Sequence, residues 1–272
     1  MKKFAADKFN SSMPSLWRSF IYWQKSFAGK YQELKQGGYL QENGRSEMIW
    51  QTRSKYVLKV PLGDGKFVVY KSYRKISKPY KFYFRPSPCT AEALNYQLMM
   101  NCHLPMAELL AVGEERSFLH LRNAFIVTGF ADGFRDGRDF ARGGALSEQL
   151  AYRSEFILRN LALLAHCHDC GILHRGFTPA NLLYKVREQA AEKGHQLDIV
   201  WIDVASCRKQ NRWRINKNAV VDFVQFFRFF DFSSDELAEY VQYYCQNRKN
   251  HPPAADKLLS KLQEKLPKRN KN

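Results

Sequence analysis

GILHRGFTPANLLY, residues Gly171–Tyr184, is the stretch on which the fold turns. Its first glycine closes SEQLAYRSEFILRNLALLAHCHDC (Ser147–Cys170), whose apolar residues recur at helical spacing, so a long helix is predicted to stop at Gly171. Its last residues open a strand-like piece, NLLYKV, which the polar turn REQAAEKGHQ separates from a second, LDIVWIDV. Downstream, NAVVDFVQFFRFF and DELAEYVQYYCQN read as helices. Upstream the character changes. Residues 48–85, with MIWQTRSKYVLKVPLGDGKFVVYKSYRK, are rich in β-branched and aromatic residues, and Asp64-Gly65 supplies a hairpin turn. SPCTAEALNYQLMMN then reads as a helix, ELLAVG and AFIVTGF as strands, and ADGFRDGRDFARGG as a linker. The expected plan is α+β: two lobes around a cleft, a β-rich N-terminal lobe over residues 48–131 and a mainly helical C-terminal lobe over 132–272, preceded by a basic, aromatic segment over 1–47.

The chain has 272 residues, 45% of them apolar, enough to bury a sizeable core, and no apolar run reaches the roughly 20 residues of a membrane span. Its formal net charge of +17 calls for an anionic partner or surface, and the charge sits at the two ends. Residues 1–85 carry 18 Lys and Arg against 5 Asp and Glu, and residues 248–272 carry 8 against 2, whereas the middle is near neutral. The tail KLLSKLQEKLPKRNKN reads as an exposed helix with a frayed end. SLWRSFIYWQKSFAGKYQELKQ (Ser15–Gln36) has Trp17, Phe20, Ile21, Phe27, Tyr31 and Leu34 near helical spacing; a helix or strand packed on the domain is favoured over a helix lying on a membrane. Six scattered cysteines suit reduced thiols and a cytoplasmic setting. The HCHDC run (His166–Cys170) would point its ligand-type side chains several ways around a helix, so helix-end packing is expected there and not zinc.

Four elements then fall in the order that a phosphoryl-transfer site of the kinase type requires. In FVVYKSY, strand alternation puts Phe67, Val69 and Lys71 on one face, where the lysine can reach nucleotide phosphates and Val69 can cover the base. Glu92, the one acid of the next helix, can pair with that lysine and fix its ammonium. His174, Arg175 and Asn181 match the kinase pattern H-R-D-L-x-x-x-N, and Asp203 in VWIDVAS follows an apolar strand as the metal-binding aspartate of kinases does. The amide oxygen of Asn181 and the carboxylate of Asp203 are hard ligands suited to Mg²⁺.

With VVYKSYR, YFRPSPCTAEALNYQLM, HLPMAELLAVGE, HRGFTPANLLY, VWIDVASCR and AVVDFVQFFRFF, the sequence resembles the bacterial lipopolysaccharide kinases of the Kdo/WaaP family over residues 48–232. The resemblance implies a protein-kinase-like fold, ATP and Mg²⁺ as cofactors, and transfer of the γ-phosphoryl group to a Kdo or heptose hydroxyl of the lipopolysaccharide inner core. The partner it implies is a lipopolysaccharide precursor or another anionic glycolipid, met at the cytoplasmic face of the inner membrane by peripheral contact. Nucleic acid is not expected, since only the basic ends suggest it. The sequence departs from the pattern at Gly176, which stands where the catalytic aspartate belongs, so no side chain there can accept the substrate proton. No glycine-rich phosphate loop is evident either: Gly44 is isolated and SKYVLKV has no glycine. A pseudokinase, binding ATP or acting as a scaffold in envelope biosynthesis, is therefore the competing expectation.

Overall fold

The computed structural model describes residues 20–23, 27–74, 82, 86–117, 120–187, 197–250 and 252–266. The chain divides into two compact units, residues 1–97 with 107–132, and residues 98–106 with 133–272.

The first unit is built on a hairpin. Asp64 and Gly65 have φ of 52° and 69°, the left-handed pair of a two-residue turn whose twist matches that of the strands. They join β3 (Lys55–Gly63) to β4 (Lys66–Tyr73). With β1 (Phe20–Trp23), β2 (Glu47–Gln51), β5 (Leu109–Ser117) and β6 (His120–Gly129), these form a six-stranded sheet in the order β1-β5-β6-β4-β3-β2, antiparallel throughout. Strand alternation sends Val68 and Tyr70 into an apolar core with Tyr56, Leu58, Val60, Phe125 and Val127. Helix α1 (Ala28–Gln36) closes that core with Tyr31 and Leu34, the Tyr31 ring stacking on Phe125 at 5.1 Å and Phe125 on Tyr70 at 5.6 Å. The stretch 15–36, expected as a helix or strand packed on the domain, holds one of each among its described residues. Phe20–Trp23 is a strand because FIYW is β-prone and the edge of β5 is there to pair with it, Trp23 opposite Ala111. Trp17 lies outside the described residues.

The outermost strand, β2, shows Ile49 and Trp50 to solvent, and its pairing with β3 slips register between Met48 and Trp50. Helix α2 (Pro88–Asn101) begins as the sequence predicts, with proline at its first position and Ser87 before it. The Thr90 N–H donates to Ser87 Oγ at 3.1 Å. Buried Glu114 of β5 accepts the Ser87 N–H at 2.8 Å and is paired with Arg116 at 2.7 Å, which ties the start of α2 to the sheet.

In the second unit, helix α3 (Leu150–Asp169) ends where expected: Gly171 takes φ 76° and its N–H donates to the His168 carbonyl at 3.0 Å. Strands β9 (Leu182–Val186) and β10 (Leu197–Trp201) pair antiparallel, and β7 (Arg135–Asp136) adds to β9. Strand β8 (Ile172–Leu173) pairs with β11 (Arg208–Lys209). Helices α4 (Arg212–Asn218), α5 (Val220–Phe227), α6 (Ser234–Asn247) and α7 (Ala255–Lys265) follow. The stretch expected as a linker, residues 131–144, is structured. It forms β7 and a 3-10 turn, Gly137–Phe140, whose Phe140 is fully buried, 4.8 Å from the Phe156 ring and 4.5 Å from Tyr184. Helix α7 is less exposed than its charge suggests, since Leu258 and Leu262 are buried. Among the described residues, no helix is long and apolar enough to cross a membrane.

Candidate functional site

In the first unit, Lys71 and Glu92 meet as the sequence predicts. The ammonium donates to both carboxylate oxygens, at 3.1 and 2.9 Å, and both residues are buried. Lys71 stands on β4 opposite Val57 and Ile126, and Val69 opposite Lys59 and Thr128, so these side chains share the face turned away from the Tyr70 core. The turn between β2 and β3 is Thr52–Arg53–Ser54, where a kinase carries its glycine-rich loop. The Ser54 and Lys55 N–H groups donate to Thr52 Oγ1 at 3.4 and 3.3 Å, so a threonine hydroxyl occupies amides that a phosphate loop would present to its ligand.

The second unit brings His174, Arg175, Gly176, Asn181 and Asp203 onto adjoining loops. The Ile202 N–H donates to the Asn181 carbonyl at 3.0 Å, fastening the segment before Asp203 to the end of the first loop. That first loop is gripped from below by Asp222 of α5, a fully buried carboxylate that accepts the His174 N–H at 2.9 Å, the Arg175 N–H at 2.5 Å and the His168 imidazole at 3.0 Å. Phe177, next to Gly176, is fully buried between Trp201 and Phe226, at ring distances of 5.2 and 5.1 Å. Arg175 and Asp203 have φ of 61° and 52°, a left-handed backbone that costs a side-chain-bearing residue on the order of 1–3 kcal/mol and that clusters at functional loops.

Asp222 and Glu114 escaped the sequence reading, although a lone acid inside the apolar run VVDFVQFF is a signal for the first. His174 is completely buried. Its Nδ1 accepts the Gly176 N–H at 3.3 Å, so the neutral ring carries its proton on Nε2, which finds no partner among the described residues. Burial holds its pKa below the ordinary value against the opposing pull of Asp222 and Asp203. The HCHDC side chains diverge: His166 Nε2 meets the Cys102 carbonyl at 2.6 Å, His168 lies between Tyr244 and Asp222, and Asp169 binds Arg248 at 2.8 Å.

Asn181 uses its amide nitrogen on the Gly176 carbonyl, at 2.9 Å, which leaves the amide oxygen pointing away from that carbonyl. That oxygen and the exposed carboxylate of Asp203 are hard donors, the ligand type that a divalent cation of the magnesium type takes.

A sheet-based unit with a strand lysine bound to a helix glutamate, and a helical unit with this loop and its following aspartate, define a protein-kinase-like α+β fold. The chain belongs to the lipopolysaccharide kinase (Kdo/WaaP) family, whose family model matches residues 35–244. Among solved structures it is similar to WaaP in complex with acyl carrier protein, at a TM-score of 0.66 and 12% identity, covering 91% of this chain and 98% of that one. The BubR1 kinase domain is more distant, at a TM-score of 0.44 and 13% identity over 82% of this chain and 80% of that one. No curated protein matches in sequence.

Proposed function

We propose that the protein is an ATP-dependent kinase that phosphorylates a sugar, Kdo or heptose, of the lipopolysaccharide inner core at the cytoplasmic face of the inner membrane. The observation that carries this reading is the buried Lys71–Glu92 pair in a member of this family. Burying an ammonium and a carboxylate for packing alone gains little, whereas a fixed ammonium is what polyphosphate binding needs. In this reading Lys71 holds nucleotide phosphates, Glu92 holds Lys71, Val69 packs on the base, and Asn181 and Asp203 offer their oxygens to Mg²⁺. Bound ATP and Mg²⁺ supply the phosphoryl group and the charge that offsets its oxygens.

The acceptor hydroxyl forms the new bond to phosphorus as the bond to the ADP oxygen breaks, and its proton must leave. With Gly176 in the loop, no side chain at that position takes the proton. Because the transition state is largely dissociative, positioning supplies most of the acceleration and the proton can depart late, to water or phosphate. The second reading, a nucleotide-binding pseudokinase, is favoured by Gly176, which puts no proton acceptor in the loop.

Two measurements separate them. ATP with Mg²⁺ is expected to raise the melting temperature, and no shift with Mg²⁺ or Mn²⁺ would sink both readings. Incubation with labelled ATP and a Kdo-containing lipid A precursor is expected to label the lipid, with Asp203→Ala as the inactive control. A nucleotide-induced shift without label leaves the pseudokinase.

A further inference from the structure

The cationic tail singled out in the sequence does not simply face water. Lys257 and Lys261, one turn apart on α7, line a groove of about 370 Å³ together with Trp213, Asn216 and Lys217 of α4, and Val220, Pro253, Ala254 and Leu258 form its apolar part. None of the three lysine ammonium groups makes a hydrogen bond or ion pair with a described residue, and no carboxylate lines the groove among the described residues. Trp213 is 69% exposed, the most exposed of the large apolar side chains described, with the Lys217 ammonium 5.4 Å from its ring. The basic character extends beyond the groove: from Val204 to Val221 the chain carries Arg208, Lys209, Arg212, Arg214 and Lys217 and not one Asp or Glu.

We propose that the α4–α7 groove is a docking surface for the phosphate headgroups of an anionic lipid bilayer. A cationic rim beside accessible apolar side chains is the complement of an amphiphile: phosphate meets the lysines, and the chain segment beneath the headgroup meets Trp213, Pro253 and Ala254. Tryptophan flanked by basic residues is the side-chain pattern that sits at a membrane–water boundary, because the ring is amphipathic and the cations find headgroup phosphate. A soluble acidic protein would satisfy the lysines but gives no reason for an indole to stand free of the surface beside them. Docking here would hold the second unit against the leaflet that carries the glycolipid. The choice of a lipid rests on the proposed glycolipid kinase activity, but binding is measured without nucleotide, so either can fail while the other stands.

The test is co-sedimentation of the full chain with phosphatidylcholine vesicles, with or without phosphatidylglycerol, at low and high salt. Binding is expected only to the anionic vesicles and is expected to weaken with salt. Replacing all three lysines, Lys217→Gln, Lys257→Gln and Lys261→Gln, should lower the partition coefficient on the order of a hundredfold, at roughly fivefold for each cation near the surface. A control triple, Lys55→Gln, Lys59→Gln and Lys66→Gln, should lower it much less. Brominated lipid should quench the native protein's tryptophan emission, and Trp213→Phe should lose more of that quenching than Trp50→Phe does. Vesicle binding that survives the groove substitutions, equals that of the control triple, or is the same on neutral vesicles overturns the proposal. So does binding to polyglutamate with none to vesicles, which assigns the groove to an acidic protein.

Discussion

Gly176 has room around it. A β-carbon there would lie 3.7 Å from Asn181 Nδ2 and from His174 Nδ1, and 3.8 Å from Ser206 Cβ, all ordinary contact distances, and the backbone has no left-handed φ that would demand glycine. Gly176→Asp is therefore expected to fold normally. If this position lacks the general base, the substitution should raise phosphoryl transfer by about 10²- to 10⁴-fold. An unchanged rate in a folded, nucleotide-binding variant would move the deficit elsewhere. Two residues earlier, His174 makes a prediction about pH. Its folded pKa lies below the unfolded value of 6.5, so the unfolded chain binds the proton more readily. Its neutral ring costs nothing above about pH 6.5, and stability falls as pH drops below that value toward the lower folded pKa. Urea midpoints measured between about pH 5 and 8 should show this decline, and His174→Gln should shrink it.

At the scale of elements, the 3-10 turn at Gly137–Phe140 is the tightest fit. A β-carbon on Gly137 would come within 2.2 Å of Phe156 Cζ, in a ring that stacks on Phe140 and meets Tyr184 edge-on. Gly137→Ala must push that ring aside and is expected to destabilise by about 1–3 kcal/mol, read as a lower denaturation midpoint. Nothing in ADGFRDGRDFARGG announces this packing, because the partner ring is supplied by a helix that starts later in the chain. The elements that were legible carry their signals locally: the Asp64-Gly65 turn, the serine before Pro88, the glycine after α3. Those that were not depend on distant pairing, as when β5 draws Phe20–Trp23 into a strand. The candidate site divides the same way. Lys71, Glu92, Asn181 and Asp203 follow from spacing and order, while the grip of Asp222 on the loop joins residues 174 and 222 and appears only in three dimensions.

For the whole molecule, the proposed nucleotide binding would link the site to stability. At a free concentration of ATP and Mg²⁺ one hundred times the dissociation constant, linkage adds about 2.7 kcal/mol. For a chain of this size that corresponds to a rise in melting temperature of roughly 5–10 °C. Lys71→Ala should remove most of the rise, and because it leaves Glu92 buried without its cation, it should also lower the melting temperature of the ligand-free protein. The partition of charge belongs to this scale too: it was visible in the sequence as two basic ends, but which cations converge on a groove was not.

The outer strand β2 has a further consequence, for handling. Ile49 and Trp50 stand exposed on a strand that is the sheet's edge among the described residues, and an edge's backbone groups invite another molecule's edge, the geometry through which proteins begin to aggregate. The register slip between Met48 and Trp50 breaks the regular spacing that such a stack would need. Light scattering during concentration should therefore begin at a lower protein concentration when Ile49 is deleted, which evens the register, and at a higher one in Ile49→Lys, which adds a charge to the exposed rim.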